Sequence, residues 1–282
     1  MGKSFSTYET AWCPGCGNFS ILRCLKTALE ELNIDPAKVL MAAGIGQAAK
    51  TPQYISANTF CGLHGRSLPA ATAAKIANEN LTVIVNTGDG DSYGEGGNHF
   101  IHAIRRNVNI THFVHDNQIY GLTKGQSSPT TAEGHVTNAQ ADGNLNYPLN
   151  PVLLAIAAGA GFVARSFSGD TKHLTEMMKA AISYKGYALV DILQPCVSFN
   201  KINTFSYYKE RVYYLETDHD YTDKAAAMIR AMEFGDRIPI GIFYREEKPD
   251  YHTKHKVLAS KMPLVDQKYD PMIVQNLMNE FV

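Results

Sequence analysis

The sequence predicts an α/β fold with a mostly parallel sheet flanked by helices, and three consecutive stretches carry that expectation. Residues 81–87 (Leu-Thr-Val-Ile-Val-Asn-Thr) are β-branched and almost continuously apolar, as a strand covered on both faces should be. Between 95 and 106 the apolar residues Phe100, Ile101, Ala103 and Ile104 recur at helical spacing, and 110–114 opens a second apolar strand that ends at Asp116-Asn117. Strand, helix and strand form one right-handed crossover, which puts both strand ends on the same edge of a parallel sheet.

The remaining elements follow in order. A helix is expected over 18–32, capped by Asn18 and ended before Asp35-Pro36, and then a strand over 39–43 that stops at Gly44-Ile45-Gly46. A small-residue helix follows at 67–78. After the central crossover, 124–151 is polar, contains Gly and Pro, and lacks apolar periodicity; it is long for an idle connection and suits a loop closing over a ligand. Helices at 151–159 and 171–184 alternate with strands at 162–166 and 188–193. Past Asn203 the chain turns aromatic and charged, with Tyr207, Tyr208, Tyr213 and Tyr214, and reads as a C-terminal arm containing one helix near 224–234. This divides the chain into 1–203 and an extension, 204–282, for contacts between subunits. The last stretch, 269–282, reads equally as a docking segment or a solvated terminus.

The crossover also carries chemistry. Gly88-Asp89-Gly90 closes the first strand and Asp116-Asn117-Gln118-Ile119-Tyr120-Gly121 the second, so Asp89 and Asn117, 28 positions apart, face one ion. Magnesium takes hard oxygen ligands and shares its octahedron between a carboxylate or two, a carbonyl and phosphates. Asp89, the Asn117 amide oxygen and the Ile119 carbonyl supply that half-shell. Gly90, Gly94, Gly96 and Gly97 permit close backbone approach, and the following helix start offers N–H groups to phosphate oxygens. The pattern is a magnesium–diphosphate site; Gly-Asp-Gly alone would read as a solvated turn.

Composition excludes other classes. The formal charge of −1 over 282 residues argues against a nucleic-acid or anionic-membrane surface as the main partner, and 45% hydrophobic content can bury one large core or two modest ones. No basic-then-apolar start and no apolar run near 18 residues is visible, so neither secretion nor membrane spanning is expected and the chain reads as cytoplasmic. The five cysteines do not form a secreted framework; metal, redox or packing roles in a reducing compartment fit them better.

Gly-Asp-Gly followed by Asn after some 26 residues resembles the thiamine diphosphate-binding fold. Six blocks narrow the resemblance, in order: Trp12-Cys13-Pro14-Gly15-Cys16-Gly17, Gly44-Ile45-Gly46, Gly62-Leu63-His64-Gly65-Arg66, Gly88-Asp89-Gly90-Asp91, Gly96-Gly97-Asn98-His99-Phe100-Ile101-His102 and Tyr120-Gly121-Leu122-Thr123-Lys124-Gly125-Gln126. Over 8–203 the chain is similar to the β subunit of 2-oxoacid:ferredoxin oxidoreductases, of the pyruvate, 2-oxoglutarate and 2-oxoisovalerate types. The resemblance implies that Ile45 and Gly46 contact the thiazolium, that Gln47 belongs with them to the cofactor-binding set, that His64, Gly65 and Arg66 line the cofactor, and that Lys50 faces the substrate carboxylate. Lys50, His64 and Arg66 are thus the catalytic candidates, with Arg66 equally readable as structural and Lys124 as a second cation near the site. Gly88, Asp89, Gly90 and Asp91 belong to the diphosphate motif. Gly121 and Leu122 would reach the diphosphate through backbone N–H groups, and Thr123 through its hydroxyl.

In the resembling subunits a [4Fe–4S] cluster is held by the Cys-Pro-Gly-Cys pair, a Cys after Gly-Ile-Gly, and a Cys after the last strand. Here Cys13, Cys16 and Cys196 match, but Gln47 stands at the third position. Three thiolates leave one iron open. Cys61 or Cys24 arriving from another direction, a water or hydroxide, or a three-iron cluster are the ways to fill the gap; Cys24, among Ile21, Leu22, Leu25 and Ala28, reads as a core thiol. The alternative for Cys13 and Cys16 is a redox dithiol, which needs a preceding strand that residues 1–11 do not offer. His99 and His102 share a helix face without a third ligand, and His112 and His115, three apart on a strand, point to opposite faces.

The resemblance implies CoA-dependent oxidative decarboxylation of a 2-oxo acid, with electrons leaving through iron–sulfur centres to ferredoxin. The carboxylate that activates the coenzyme and a ferredoxin's dense cysteine run are both missing, so an α subunit should complete the site. A non-oxidative thiamine decarboxylase or lyase subunit is the alternative that Gln47 favours, and a cofactor-binding scaffold without turnover is a third.

Overall fold

The computed structural model describes residues 4–137, 139–215, 218–260, 262–268 and 270–281. Its described strands form one eight-stranded sheet in the order β2-β1-β3-β4-β6-β5-β8-β7. β1 (Val39–Ala43), β2 (Asn58–Cys61), β3 (Thr82–Gly88), β4 (Ile110–Asp116), β5 (Phe162–Phe167) and β6 (Tyr187–Leu193) pair in parallel. β3, β4 and β6 are buried along nearly their whole length, as continuous apolar runs between two helical layers require.

One layer packs α1 (Asn18–Glu31) against α5 (Thr171–Ser183), burying Ile21, Leu25, Leu29, Leu174 and Met178 with Met41, Phe113 and Val190 of the sheet. The opposite layer, α2 (Ser67–Ala77), α3 (Gly97–Arg106), α4 (Pro151–Ala157) and α7 (Lys224–Ala231), buries Leu68, Phe100, Ile104, Val152 and Ala227 with Val85, Val114 and Leu189. Local signals set the boundaries. Asn150 Oδ1 accepts from the Leu153 amide and Asp170 Oδ1 from His173, capping α4 and α5, while Asn107 in the left-handed region ends α3. Asn18 does not cap α1. Gly17 takes that place, and the Asn18 oxygen pairs instead with His115 Nδ1 at 2.7 Å.

The segment after 203, expected as an arm, is in part sheet. After α6 (Phe205–Arg211), β7 (Val212–Tyr214) lies parallel to β8 (Ile238–Arg245), which runs antiparallel to β5. Pro239 and Gly241 break the apolar pattern of β8 and hide it in the sequence, yet both are paired, Pro239 with Tyr213 and Gly241 with Arg165; the register against β5 shifts at Val163/Ala164. Beyond α8 (Tyr251–Lys254), α9 (Pro271–Asn279) has no buried residue. Of the expected docking stretch 269–282, Tyr269 and Val282 lie outside the described residues. Among the described residues no helix is long and apolar enough to cross a membrane.

Candidate active site

β3 and β4 run in parallel with Gly88 opposite His115, so Asp89 and Asn117 leave adjacent strand ends about 4.8 Å apart. Both residues line one cavity at the carboxyl edge of the sheet, together with Ile45, Gly46, Gln47, His64, Gly88, Gly90, Asp91, Ile119, Gly121, Leu122 and Thr123. Every residue of the expected metal half-shell is therefore on one wall system. Glu95 and Tyr120, which sequence reading did not select, line it too.

Asp89 is 1% exposed. Burial pushes its carboxyl up to about 6, opposed by hydrogen bonds from the Ser128 and Thr130 side chains. Thr130 comes from the long loop and sits 2.8 Å from Asp89 Oδ2, so that loop does reach the site. The same hydroxyl is 2.8 Å from Asp116 Oδ1. Asn117 is held at each polar group: Oδ1 accepts from the Ile119 amide at 3.1 Å, Nδ2 donates to Gln194 Oε1 at 3.0 Å, and its carbonyl accepts from Asn200 Nδ2 at 3.0 Å.

Asp91 acts differently from Asp89. Its Oδ1 accepts from the Ile45 amide at 3.0 Å and the Gly65 amide at 2.8 Å, tying the turns after β1 and β2 to the π-helical turn 90–95. Burial raises its pKa while these two amides oppose the rise. Gly65 has φ +67°, and a Cβ there would sit 2.4 Å from the Glu95 carbonyl carbon; at Gly90 one would sit 2.2 Å from the Tyr120 ring. Gly65 is thus a clamp behind the cavity, not part of its lining. Arg66 is exposed and borders a separate depression with Phe60, Cys61 and Leu63. Lys50 is half-buried in the 3₁₀ turn Ala48–Tyr54, outside the lining residues, and Lys124 is exposed.

A second cavity abuts the first. Cys13, Cys16 and Cys196 line it with Trp12, Asn18, Gln194 and Phe199, and Gln47, Asn117 and Gly121 border both cavities. A tight turn closes Cys13–Cys16, with the Cys16 amide donating to the Cys13 carbonyl at 3.0 Å. Burial pushes the Cys16 thiol up to about 11, with Cys196 and Cys13 adding to the rise. Gln194 Nε2 donates to Cys16 Sγ at 3.4 Å. Trp12 Nε1 donates to the Gln47 carbonyl at 2.9 Å, and Gln47 Oε1 is buried without a partner. Cys24 donates instead to the Thr171 carbonyl in the α1–α5 core, and Cys61 sits exposed on β2. Neither lines the thiol cavity, so neither takes the position that Gln47 occupies.

The histidines separate as the strand period requires. His112 contacts Thr87, Ser92 and Tyr187 on one face, and His115 contacts Asn18 on the other. His102 pairs with Arg105 at the surface.

The family model for the thiamine pyrophosphate enzyme, C-terminal TPP-binding domain, matches residues 35–192, and that for the C terminal of the pyruvate ferredoxin oxidoreductase β subunit matches 196–260. The β subunit of 2-oxoacid:ferredoxin oxidoreductase 1 from Aeropyrum pernix is 46% identical over 276 residues, covering 93% of this chain and 86% of that one. The corresponding Saccharolobus solfataricus protein is 48% identical over 249 residues, 84% of this chain and 82% of that one. The chain belongs to the 2-oxoacid:ferredoxin oxidoreductase β-subunit family. As a β subunit it is one component of an oxidoreductase heteromer with a thiamine diphosphate-binding domain. The solved structure of the Magnetococcus marinus 2-oxoglutarate:ferredoxin oxidoreductase, with 2-oxoglutarate, coenzyme A and succinyl-CoA bound, superposes at a TM-score of 0.90 with 37% identity, over 97% of this chain and 94% of that one. The parallel sheet with flanking helices read from the sequence is the fold of that family.

Proposed function

We propose that this β subunit binds thiamine diphosphate and magnesium for the CoA-dependent oxidative decarboxylation of a 2-oxo acid to acyl-CoA, with electrons passed to ferredoxin. The convergence of Asp89 and Asn117 on one cavity, sharing a wall with a three-cysteine cavity, carries this reading. The donor set fits magnesium: a buried carboxylate, an oriented carboxamide and the Ile119 carbonyl are all hard oxygens. Gly121 and Leu122 present backbone N–H groups to the diphosphate, and Thr123, whose hydroxyl now donates to Gln126 Oε1 at 2.6 Å, adds a third donor. When bound, the coenzyme supplies the carbon nucleophile and the electron sink for decarboxylation.

The chain's own residues bind and orient. Ile45, whose amide Asp91 holds, and Gly46 form the wall toward the thiazolium, and Gln47 beside them is held through its carbonyl by Trp12. His64 lines the coenzyme cavity, and Lys50, from outside the lining, faces the carboxylate of the 2-oxo acid; Arg66, in its separate depression, takes the structural role. The cavity encloses about 50 Å³, well short of the roughly 300 Å³ that surrounds a drug-sized ligand, so the rest is covered by an α subunit, which also supplies the activating carboxylate. The exposed apolar side chains of α9, among them Met272, Ile273 and Leu277, suit the 204–282 extension to contacts with other subunits, and a cytoplasmic location goes with ferredoxin as acceptor.

Cys13, Cys16 and Cys196 hold a [4Fe–4S] cluster on this reading. Gln47 in place of a fourth cysteine favours the competing one, a non-oxidative thiamine lyase subunit. Iron and sulfide assay of the anaerobic heteromer, with carbon dioxide release measured with and without ferredoxin, separates them. Acceptor-dependent release from an iron-containing complex is expected; acceptor-independent release without iron overturns the oxidoreductase reading.

A further inference from the structure

We infer that the cysteine cavity holds a site-differentiated four-iron cluster: three irons bound by Cys13, Cys16 and Cys196, and the fourth facing the Gln47 side-chain oxygen. The inference rests on the proposed cluster and deepens it. The three thiols arrive from two separate segments and line a shared cavity, where each can bind one iron of a cubane. The enclosed space measures about 30 Å³, and the cluster would extend past it toward exposed Cys13.

Gln47 supplies the independent observation. Its Oε1 is buried, has no hydrogen-bond donor, and its residue borders the thiol cavity. A buried acceptor left without a donor costs about 1–3 kcal/mol and calls for a partner. Trp12 fixes the residue by donating to its carbonyl, so the side chain is presented from an anchored backbone. The other two thiols cannot take the position, Cys24 being committed to the Thr171 carbonyl and Cys61 lying on β2. A neutral amide oxygen is a harder and weaker donor to iron than thiolate, so the fourth iron is the one that exchanges its ligand and leaves first. Mild oxidation makes this visible: [4Fe–4S]²⁺ gives one electron to ferricyanide and releases Fe²⁺, leaving [3Fe–4S]⁺.

The test uses the anaerobic heteromer carrying ⁵⁷Fe, as wild type and as Gln47→Cys. Mössbauer spectra of the wild type should resolve one iron distinct from three, and one equivalent of ferricyanide should remove one iron per cluster, restored by Fe²⁺ and dithionite. Gln47→Cys should show four alike irons and retain all of them under that treatment. Gln47→Ala, which fills no coordination position, should lose the iron at least as readily as wild type. Four alike irons in the wild type, or a one-to-three pattern that persists in Gln47→Cys, overturns the inference while leaving the cluster in place. Absence of iron and sulfide from both proteins removes the cluster itself, and with it the electron exit proposed above.

Discussion

Asn117 donates its side-chain amide to Gln194 Oε1 at 3.0 Å, and this bond joins the two cavities, because the other end of Gln194 donates to Cys16 Sγ. Gln194→Ala strands the Asn117 N–H group and frees its side chain to turn. A lost hydrogen bond of this kind costs about 1.5 kcal/mol, so affinity for magnesium and thiamine diphosphate should fall about tenfold by calorimetry. Gln194→Glu keeps the acceptor oxygen and should retain cofactor affinity while altering the cysteine side. Equal losses in both variants would contradict this role.

Asp89 must be anionic to grip a divalent cation, and its pKa is raised by burial to about 6. Cation binding therefore expels a proton below that value. Affinity for the magnesium–coenzyme pair should be flat above pH 7 and fall roughly tenfold per unit below pH 6. Thr130→Val removes a donor that holds the carboxyl down, and should move the break in the profile to higher pH. A profile unchanged by Thr130→Val would contradict the assignment.

His112 and His115 are buried neutral, each pushed by burial down to about 3. In the unfolded chain they protonate near 6.5, so between pH 6.5 and 3 the unfolded state binds more protons and stability falls with pH. Each should cost about 2 kcal/mol on going from pH 7 to pH 5. Denaturant midpoints for wild type and His115→Asn across that range check it: the variant should show about half the loss attributable to the pair.

Gly65→Ala forces a left-handed φ on alanine and drives its Cβ into the Glu95 backbone. The substitution should cost roughly 2 kcal/mol or more and loosen the clamp that Asp91 makes. At Gly97 a Cβ meets nothing within 4 Å, so Gly97→Ala should change the melting temperature little. Equal effects at the two positions would count against the clamp.

The part of the site legible in the sequence was the part built from one crossover. The β3–α3–β4 unit, its Gly-Asp-Gly end and the Asn after β4 combine local periodicity with a rule of handedness, so the sequence alone pairs Asp89 with Asn117. Residues that reach the site only through tertiary packing left no such trace. Thr130 arrives from a loop without periodicity, Gln194 from the end of β6, and Glu95 through a π-helical turn whose geometry is not readable in glycine content. Asn18 departs from its local cap motif for a similar reason: its side chain pairs with a partner 97 residues away, His115. β8 was hidden because an antiparallel strand near the sheet edge tolerates the proline and glycine that a central parallel strand excludes.

The central claim is that Asp89 and Asn117 together hold a magnesium ion bridging to the coenzyme's diphosphate. Calorimetric titration of thiamine diphosphate into the heteromer, with and without Mg²⁺, for wild type and Asp89→Ala, tests it most directly. Binding should require Mg²⁺ in the wild type and weaken by about a hundredfold or more in Asp89→Ala; Mg²⁺-independent binding of equal strength in both proteins would contradict it.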